Sequence, residues 1–240
     1  MTKKFSLEQE MIPPIASCCS ELIGNKGPYG VFLECVGAQG IADVVFAGFD
    51  SDICELRDKF GLGPLVNLVD VTIMQAINPE GVSEFGEIVS KVSYSSAYVK
   101  RSLSILCKNG YIEKNEEGYF RSPFFAPVAK EIIAIEAKRE DWAKGIHQAR
   151  RYLRYANRVF LALDDAYSHR IIDGNLPHLS CIGLLTVNAE DRNTSVIVKP
   201  KWRKPSSEVE NILLGERLWA ILYNKQENKN LGVLHSYSES

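Results

Sequence analysis

The clearest alternation of apolar and polar positions lies near the start of the chain. Tyr29-Gly-Val-Phe-Leu-Glu-Cys-Val36 alternates and is rich in strand formers, Gly37-Ala-Gln-Gly40 has turn chemistry, and Ile41-Ala-Asp-Val-Val-Phe-Ala47 resumes the strand composition. A turn centred on Ala38 and Gln39 sets a register in which paired positions sum to 77. Glu34 is then expected opposite Asp43, with two carboxylates on one face of the sheet. Ahead of this hairpin, residues 7–23 read as an amphipathic helix interrupted by Pro13-Pro14, and Asn25-Lys-Gly-Pro28 reads as a turn.

From Gly61-Leu-Gly-Pro64 to Pro123 the period becomes helical. Leu65–Ile77, Glu84–Val92 and Ser95–Asn109 are three predicted helices, with Gly110 as the cap of the third. Tyr111 to Arg121 then reads as a short strand, a polar turn and a second strand. Three helices and a hairpin are the arrangement of a winged helix-turn-helix, with the third helix as its recognition helix. On that helix Val99, Leu103 and Leu106 form a core stripe, so Arg101, Ser104 and Lys108 point away from it, with Ser96, Tyr98 and Lys100 near the exposed start. Those residue types suit phosphate and base-edge contacts on DNA. The hairpin tip Glu113-Lys-Asn-Glu-Glu117 carries three acids, which favours the alternative of a protein-contact or dimerisation unit.

Beyond Pro127 alternation returns. Lys130–Lys138 is a predicted strand, Asp141–Tyr155 a helix and Arg158–Leu163 a wholly apolar strand, a crossover that implies parallel pairing in a buried sheet. A turn-rich segment with Asp173-Gly174 leads to strands Cys181–Val187 and Ser195–Val198. Ser207 with Glu210 three residues on has capping-box spacing and opens a helix to Tyr223, while Asn224–Ser240 reads as a frayed end. The organisation expected is residues 1–59 and 124–240 forming one α/β core, a mixed central sheet flanked by helices, interrupted by the winged-helix insertion at 60–123.

The 240 residues carry 28 Lys or Arg against 30 Asp or Glu, which excludes a globally basic coat but leaves local basic surfaces open. Residues 192–204 hold five basic residues and no acid, and Lys199-Pro-Lys-Trp-Arg-Lys204 sets Lys201, Arg203 and Lys204 around an aromatic able to stack on a base. Six cysteines without a Cys-x-x-Cys pair argue for reduced thiols. No apolar run approaches a membrane span, and the acids in the first ten residues do not suit a secretory signal. The expectation is a cytoplasmic protein with no membrane partner.

Glu136-Ala-Lys138 lies on a predicted strand, so the carboxylate and the ammonium share one face. Asp43 and Glu136 supply two hard oxygen ligands for Mg²⁺, with Mn²⁺ as the alternative, the Ala137 carbonyl offers a third, and Lys138 sits beside an attacking water. That donor set suits phosphodiester hydrolysis. Gln148 and Tyr152 are four apart, on one face of the following helix, and Arg150 and Arg151 between them can reach phosphates.

Ile41-Ala-Asp43-Val, then Ile135-Glu136-Ala-Lys138, then a helix with Gln148-x-x-x-Tyr152, resembles the PD-(D/E)XK, or restriction-endonuclease-like, nuclease superfamily, and the Gln-x-x-x-Tyr spacing resembles its RecB-like branch. Alanine stands where the family name has proline, and the 93 residues between Asp43 and Glu136 are accounted for mostly by the insertion. The resemblance implies that Asp43 and Glu136 bind Mg²⁺, that Lys138 positions the water or stabilises developing charge, and that Gln148 and Tyr152 help line the site. It also places an auxiliary acid at Glu21, while Glu34 joins the metal-ligand candidates through the hairpin register. The expected activity is metal-dependent hydrolysis of DNA, with compact domains of this kind expected in defence or mobile-element systems and inside larger complexes. The competing expectation is a non-catalytic DNA-binding regulator or assembly subunit that keeps the fold.

Overall fold

The computed structural model describes residues 3–23, 28–37, 40–174 and 176–227. In chain order its elements are a 3₁₀ turn Glu8–Met11, α1 (Ile12–Ser17), α2 (Cys19–Leu22), β1 (Tyr29–Gly37), β2 (Gly40–Phe49), α3 (Ser51–Lys59), α4 (Leu68–Ala76), α5 (Phe85–Lys91), α6 (Ser96–Lys108), β3 (Ile112–Lys114) and β4 (Tyr119–Arg121). There follow β5 (Ala129–Lys138), α7 (Trp142–Tyr152), β6 (Arg158–Asp164), α8 (Asp165–Ile172), a 3₁₀ turn Leu176–Leu179, β7 (Gly183–Val187), β8 (Thr194–Val198) and α9 (Glu208–Glu227). The chain divides into two compact units, one holding the described residues up to Gly48 together with Glu131–Asn211, the other Phe49–Lys130 and α9 from Ile212.

The first unit is built on a mixed six-stranded sheet of order β1-β2-β5-β6-β7-β8 flanked by helices, the α/β class expected. β1 and β2 are antiparallel, and every paired position from Tyr29↔Gly48 to Gly37↔Gly40 sums to 77, which is the register that the turn chemistry implied. Ala38 and Gln39, like the turn expected at Asn25–Pro28 for residues 25–27, lie outside the described residues. Glu34 departs from the ladder: its φ is 50° and it is exposed, so the carboxylate expected opposite Asp43 leaves the sheet through a left-handed backbone position. β5, β6 and β7 are parallel, with α7 as the crossover from β5 to β6 and α8 lying between β6 and β7, while β8 returns antiparallel to β7.

Strand alternation distributes the core over both sheet faces. Val44, Phe46, Ile133, Ile135, Phe160 and Ala162 pack under the N-terminal helices with Met11, Ile15 and Leu22. Asp43, Glu136 and Leu161 therefore belong to the opposite face, which α7 covers with buried Ile146, Ala149 and Tyr152. Gly145 lets that helix come close. A Cβ there would sit 2.5 Å from Leu161 and 2.9 Å from the stem of Lys138.

In the second unit α4, α5 and α6 precede the antiparallel ribbon β3–β4, with an isolated bridge from Ser83 to Tyr119. Val99, Leu103 and Leu106 are buried on α6, and Ser95 caps it. The centre of the unit is a fully buried Arg57 on α3, paired with Glu216 of α9 at 2.5 and 3.0 Å. Its guanidinium lies 4.7 Å from the ring centroids of both Phe125 and Trp219. Glu216 also accepts the Leu65 N–H at 2.7 Å.

α3 and α8 have no counterpart in the apolar pattern. Both are announced only by capping: Asp50 accepts from the Asp52 and Ile53 amides, and Asp164 from Ala166. α7 stops at Tyr152, three residues before the expected end, and α9 continues to Glu227 past the expected fraying point; residues 228–240 lie outside the description.

Candidate active site

Asp43 sits in the middle of β2 and reaches the neighbouring strand, where its Oδ2 accepts the Ala137 N–H at 2.7 Å. Burial pushes its pKa up to about 6, with the Ala137 amide acting against that rise and Glu136 adding to it. Asp43 thus holds its charge at a cost that a nearby cation would relieve.

Glu136 is 1% exposed and its two oxygens are held from different elements. Oε1 lies 2.8 Å from Lys138 Nζ, and Oε2 lies 2.5 Å from the Tyr152 hydroxyl. The same hydroxyl is 2.6 Å from the Ile41 carbonyl, so one phenolic proton serves two acceptors. Burial, followed by the bond to Glu136, pushes the Tyr152 pKa up and keeps it a donor. The arrangement follows from periodicity: two residues along β5 bring Glu136 and Lys138 to one face, and α7 lays Tyr152 across that face.

The Lys138 ammonium uses all three of its donors. Besides Glu136 it meets the Ala137 carbonyl at 2.9 Å and Glu8 Oε2 at 3.3 Å. Burial acts to lower its pKa, but the hydrogen bond and charge of Glu136, with Glu8 and Asp43, outweigh it and the net direction is upward. Lys138 is therefore a fixed cation and hydrogen-bond donor, and no base at neutral pH.

Glu8, on the 3₁₀ turn, is the residue the sequence reasoning missed. The auxiliary acid was expected at Glu21, which is exposed on α2. Neither Glu21 nor Glu34 makes a hydrogen bond or ion pair with Asp43, Glu136 or Lys138 among the described residues. A capping signal marked Glu8's turn, since Glu10 reaches back to the Ser6 and Leu7 amides at 2.8 and 3.2 Å, but no local signal says that the turn meets β5. Gln148 is half-buried on α7 with its Oε1 lacking a hydrogen-bond partner, an acceptor left free on the helix that covers the site.

The remaining predicted residues are dispersed. Arg150 donates to the His178 carbonyl at 2.9 Å, whereas exposed Arg151 lies against Gly40, its guanidine carbon 3.6 Å from where a Cβ would be. Lys201 is exposed, but Arg203 is half-buried and donates to Cys181 Sγ at 3.3 Å, and Lys204 pairs with Glu208 at 2.9 Å. In the second unit Ser96, Tyr98, Lys100, Arg101 and Ser104 all lie exposed on α6. Tyr98 and Arg101 line a cavity of about 270 Å³ with Asn67, Asp70 and Ile105.

Asp43, Glu136 and the Ala137 carbonyl form a set of hard oxygens, the kind that suits Mg²⁺ or Mn²⁺. Among the described residues no group of three His, Cys, Asp or Glu side chains converges. A small divalent cation that keeps several waters needs only one or two carboxylates, so the residues fit such an ion.

No family model and no curated protein matches the chain. One solved structure, the SPO1766 protein of unknown function from Silicibacter pomeroyi, is similar over 44% of this chain and 69% of that chain, at 19% identity and a TM-score of 0.30. Among the described residues no helix is long and apolar enough to cross a membrane.

Proposed function

We propose that the chain is a metal-dependent deoxyribonuclease whose mixed sheet is a restriction-endonuclease-like core. What carries this reading is the convergence of Asp43, Glu136, Lys138 and Tyr152 from β2, β5 and α7 within direct hydrogen-bonding distance of one another or of the backbone N–H and carbonyl of Ala137. Asp43, Glu136 and the Ala137 carbonyl would hold Mg²⁺ or Mn²⁺. A bound cation supplies Lewis-acid stabilisation of the phosphate charge.

The chain's own residues do the rest. Tyr152 fixes the orientation of Glu136 from one side and Lys138 from the other. Glu8 is the longest and most solvated of the Lys138 contacts, with 48% of its side chain exposed, so it is the acceptor most readily exchanged for a substrate phosphate or a water. Lys138 then donates a hydrogen bond to the incoming water oxygen, whose proton leaves to solvent as the new P–O bond forms, and stabilises charge on the phosphoryl group while the ester P–O bond breaks and the leaving oxygen takes a proton from solvent. Gln148, whose buried Oε1 has no partner, is an acceptor for a bound water. The three-helix unit with its ribbon is read as a winged helix that holds DNA through the exposed face of α6, and Arg150, Arg151 and Lys201 are further phosphate contacts.

Full engagement of both Glu136 oxygens favours a second reading, a DNA-binding subunit in which these charges only hold the strands together. Cleavage of linear, circular and single-stranded DNA with Mg²⁺, Mn²⁺ or EDTA separates the two. The nuclease reading requires metal-dependent cutting that Asp43→Ala and Lys138→Ala abolish while both variants still fold and bind DNA. Salt-sensitive binding without cleavage under every condition would sink it.

A further inference from the structure

We propose that Glu8 is the general base of the hydrolysis, taking a proton from the attacking water and passing it on to solvent. This inference rests on the nuclease reading above. Lys138 aligns the water but keeps its own proton among three acceptors, so the proton of the water has to go elsewhere. Glu136 is closed to it. One of its oxygens is paired with Lys138, the other receives the Tyr152 hydroxyl, and the residue is 1% exposed. Asp43 accepts the Ala137 amide and is assigned to the cation. Glu8 has one oxygen on Lys138, the other without a hydrogen-bond partner among the described residues, and a half-exposed side chain.

The backbone around Glu8 is tied down independently of the Lys138 contact. Phe5 N–H donates to buried Asp164 at 2.8 Å, Arg139 donates to the Ser6 carbonyl at 2.5 Å, and Arg192 donates to the Glu10 carbonyl at 3.1 Å. Phe5 and Met11 are buried on either side of the turn. A turn fixed at both ends thus holds a solvated carboxylate against β5, where an ion pair of that exposure adds little to stability. The Glu8 charge also reaches Asp43, where it acts to raise the carboxyl pKa, so Glu8 borders both the ammonium and a proposed metal ligand. A water that replaces Glu8 as the third acceptor of Lys138 lies within one hydrogen bond of the displaced carboxylate, the reach that a general base requires. As the water oxygen bonds to phosphorus, one of its protons passes to Glu8. The ester P–O bond breaks, the leaving oxygen takes a proton from solvent, and Glu8 returns the one it holds to solvent.

The test measures Mg²⁺-dependent DNA cleavage by the wild type, Glu8→Gln and Glu8→Ala, with folding of each checked by thermal unfolding. Glu8→Gln keeps an oxygen for Lys138 but cannot take a proton, and its kcat should fall about 10²-fold or more while KM stays near the wild-type value. Glu8→Ala opens room for a small anion. Added formate and acetate should restore part of its rate, acetate more than formate because it is the stronger base, and neither should speed the wild type. Nitrate, planar and of similar size but hardly basic, should restore nothing.

Wild-type rates in Glu8→Gln overturn the base and leave the nuclease reading standing. So does rescue of Glu8→Ala by nitrate as strong as by acetate, which would show that only a counter-charge for Lys138 was missing. A rate loss that no carboxylate restores, or one carried by KM, assigns Glu8 to positioning and overturns the base in the same way. No metal-dependent cutting by the wild type overturns the nuclease reading itself, and the base with it.

Discussion

Replacing Asp43 by asparagine should abolish cleavage and make the metal-free protein more stable. The carboxyl is pushed from its ordinary 3.8 up to about 6, chiefly by burial. Raising a pKa this far in the folded state corresponds to about 3 kcal/mol of penalty on the charged form. Asp43 is only half-buried, so solvent screening reduces the figure to about 1–2 kcal/mol. Asparagine keeps an oxygen for the Ala137 amide and carries no charge. The gain is therefore about 1–2 kcal/mol, or roughly 2–8 °C in Tm for a chain of this size.

The sign with pH follows from linkage. The folded carboxyl holds its proton to higher pH than the unfolded one, so the wild type loses stability as pH rises from about 4 to about 6. Below that window the group is neutral in both states and the penalty vanishes. The difference between variant and wild type should be full at pH 8 and gone near pH 4, measured by thermal unfolding in EDTA. Added Mg²⁺ should raise the wild-type Tm and leave Asp43→Asn unmoved. A variant less stable than the wild type at pH 8, or a gain of equal size at pH 4, would refute the reasoning.

Tyr152→Phe removes the donor shared by Glu136 and Ile41, leaves a buried carboxylate oxygen unsatisfied, and should cost about 1–3 kcal/mol in urea unfolding together with most of the cleavage rate. Glu216→Ala strands the fully buried Arg57 guanidinium and should destabilise the second unit by about 3–5 kcal/mol, read as lost hydrogen-exchange protection in α3 and α9. Gly145→Ala gains up to about 1 kcal/mol of helix propensity. It should nonetheless lose about 1–3 kcal/mol net in denaturant titration, because the new methyl meets Leu161 and Lys138.

The pattern along the chain made the local elements legible, and with them the residues that local elements position. Alternation and turn chemistry put β1 against β2 in the right register, and the crossover from β5 through α7 to β6 followed from an apolar strand after an amphipathic helix. Asp43, Glu136, Lys138 and Tyr152 could be singled out because each lies on a strand or helix of clear period. Glu34 escaped because a single left-handed backbone position removes it from the ladder without changing the register on either side. Glu8 escaped because its contact with Lys138 spans 130 positions, and nothing in a short turn encodes such a meeting. Arg57 and Glu216 are 159 positions apart and were invisible for the same reason: α3 has no apolar stripe, and its most buried side chain is an arginine.

The two carboxylates of the cluster are treated differently, and the difference bears on what each can do. Glu136 is the more buried, yet Lys138 and Tyr152 compensate it, so its charge is neutralised and its plane is fixed before any ligand arrives. Asp43 receives one backbone amide and is otherwise left with the cost of partial desolvation beside a second carboxylate. A site meant only to stitch strands together gains nothing from that imbalance, because an asparagine at position 43 would keep the amide contact and avoid the penalty. A site meant to draw in a cation gains from it directly, since the desolvation cost that burial places on the Asp43 carboxylate is offset when a positive charge is bound beside it. The stability cost at Asp43 and the proposed chemistry are thus one quantity seen from two sides. The Asp43→Asn variant measures it twice, as a Tm gained without metal and as a metal response lost.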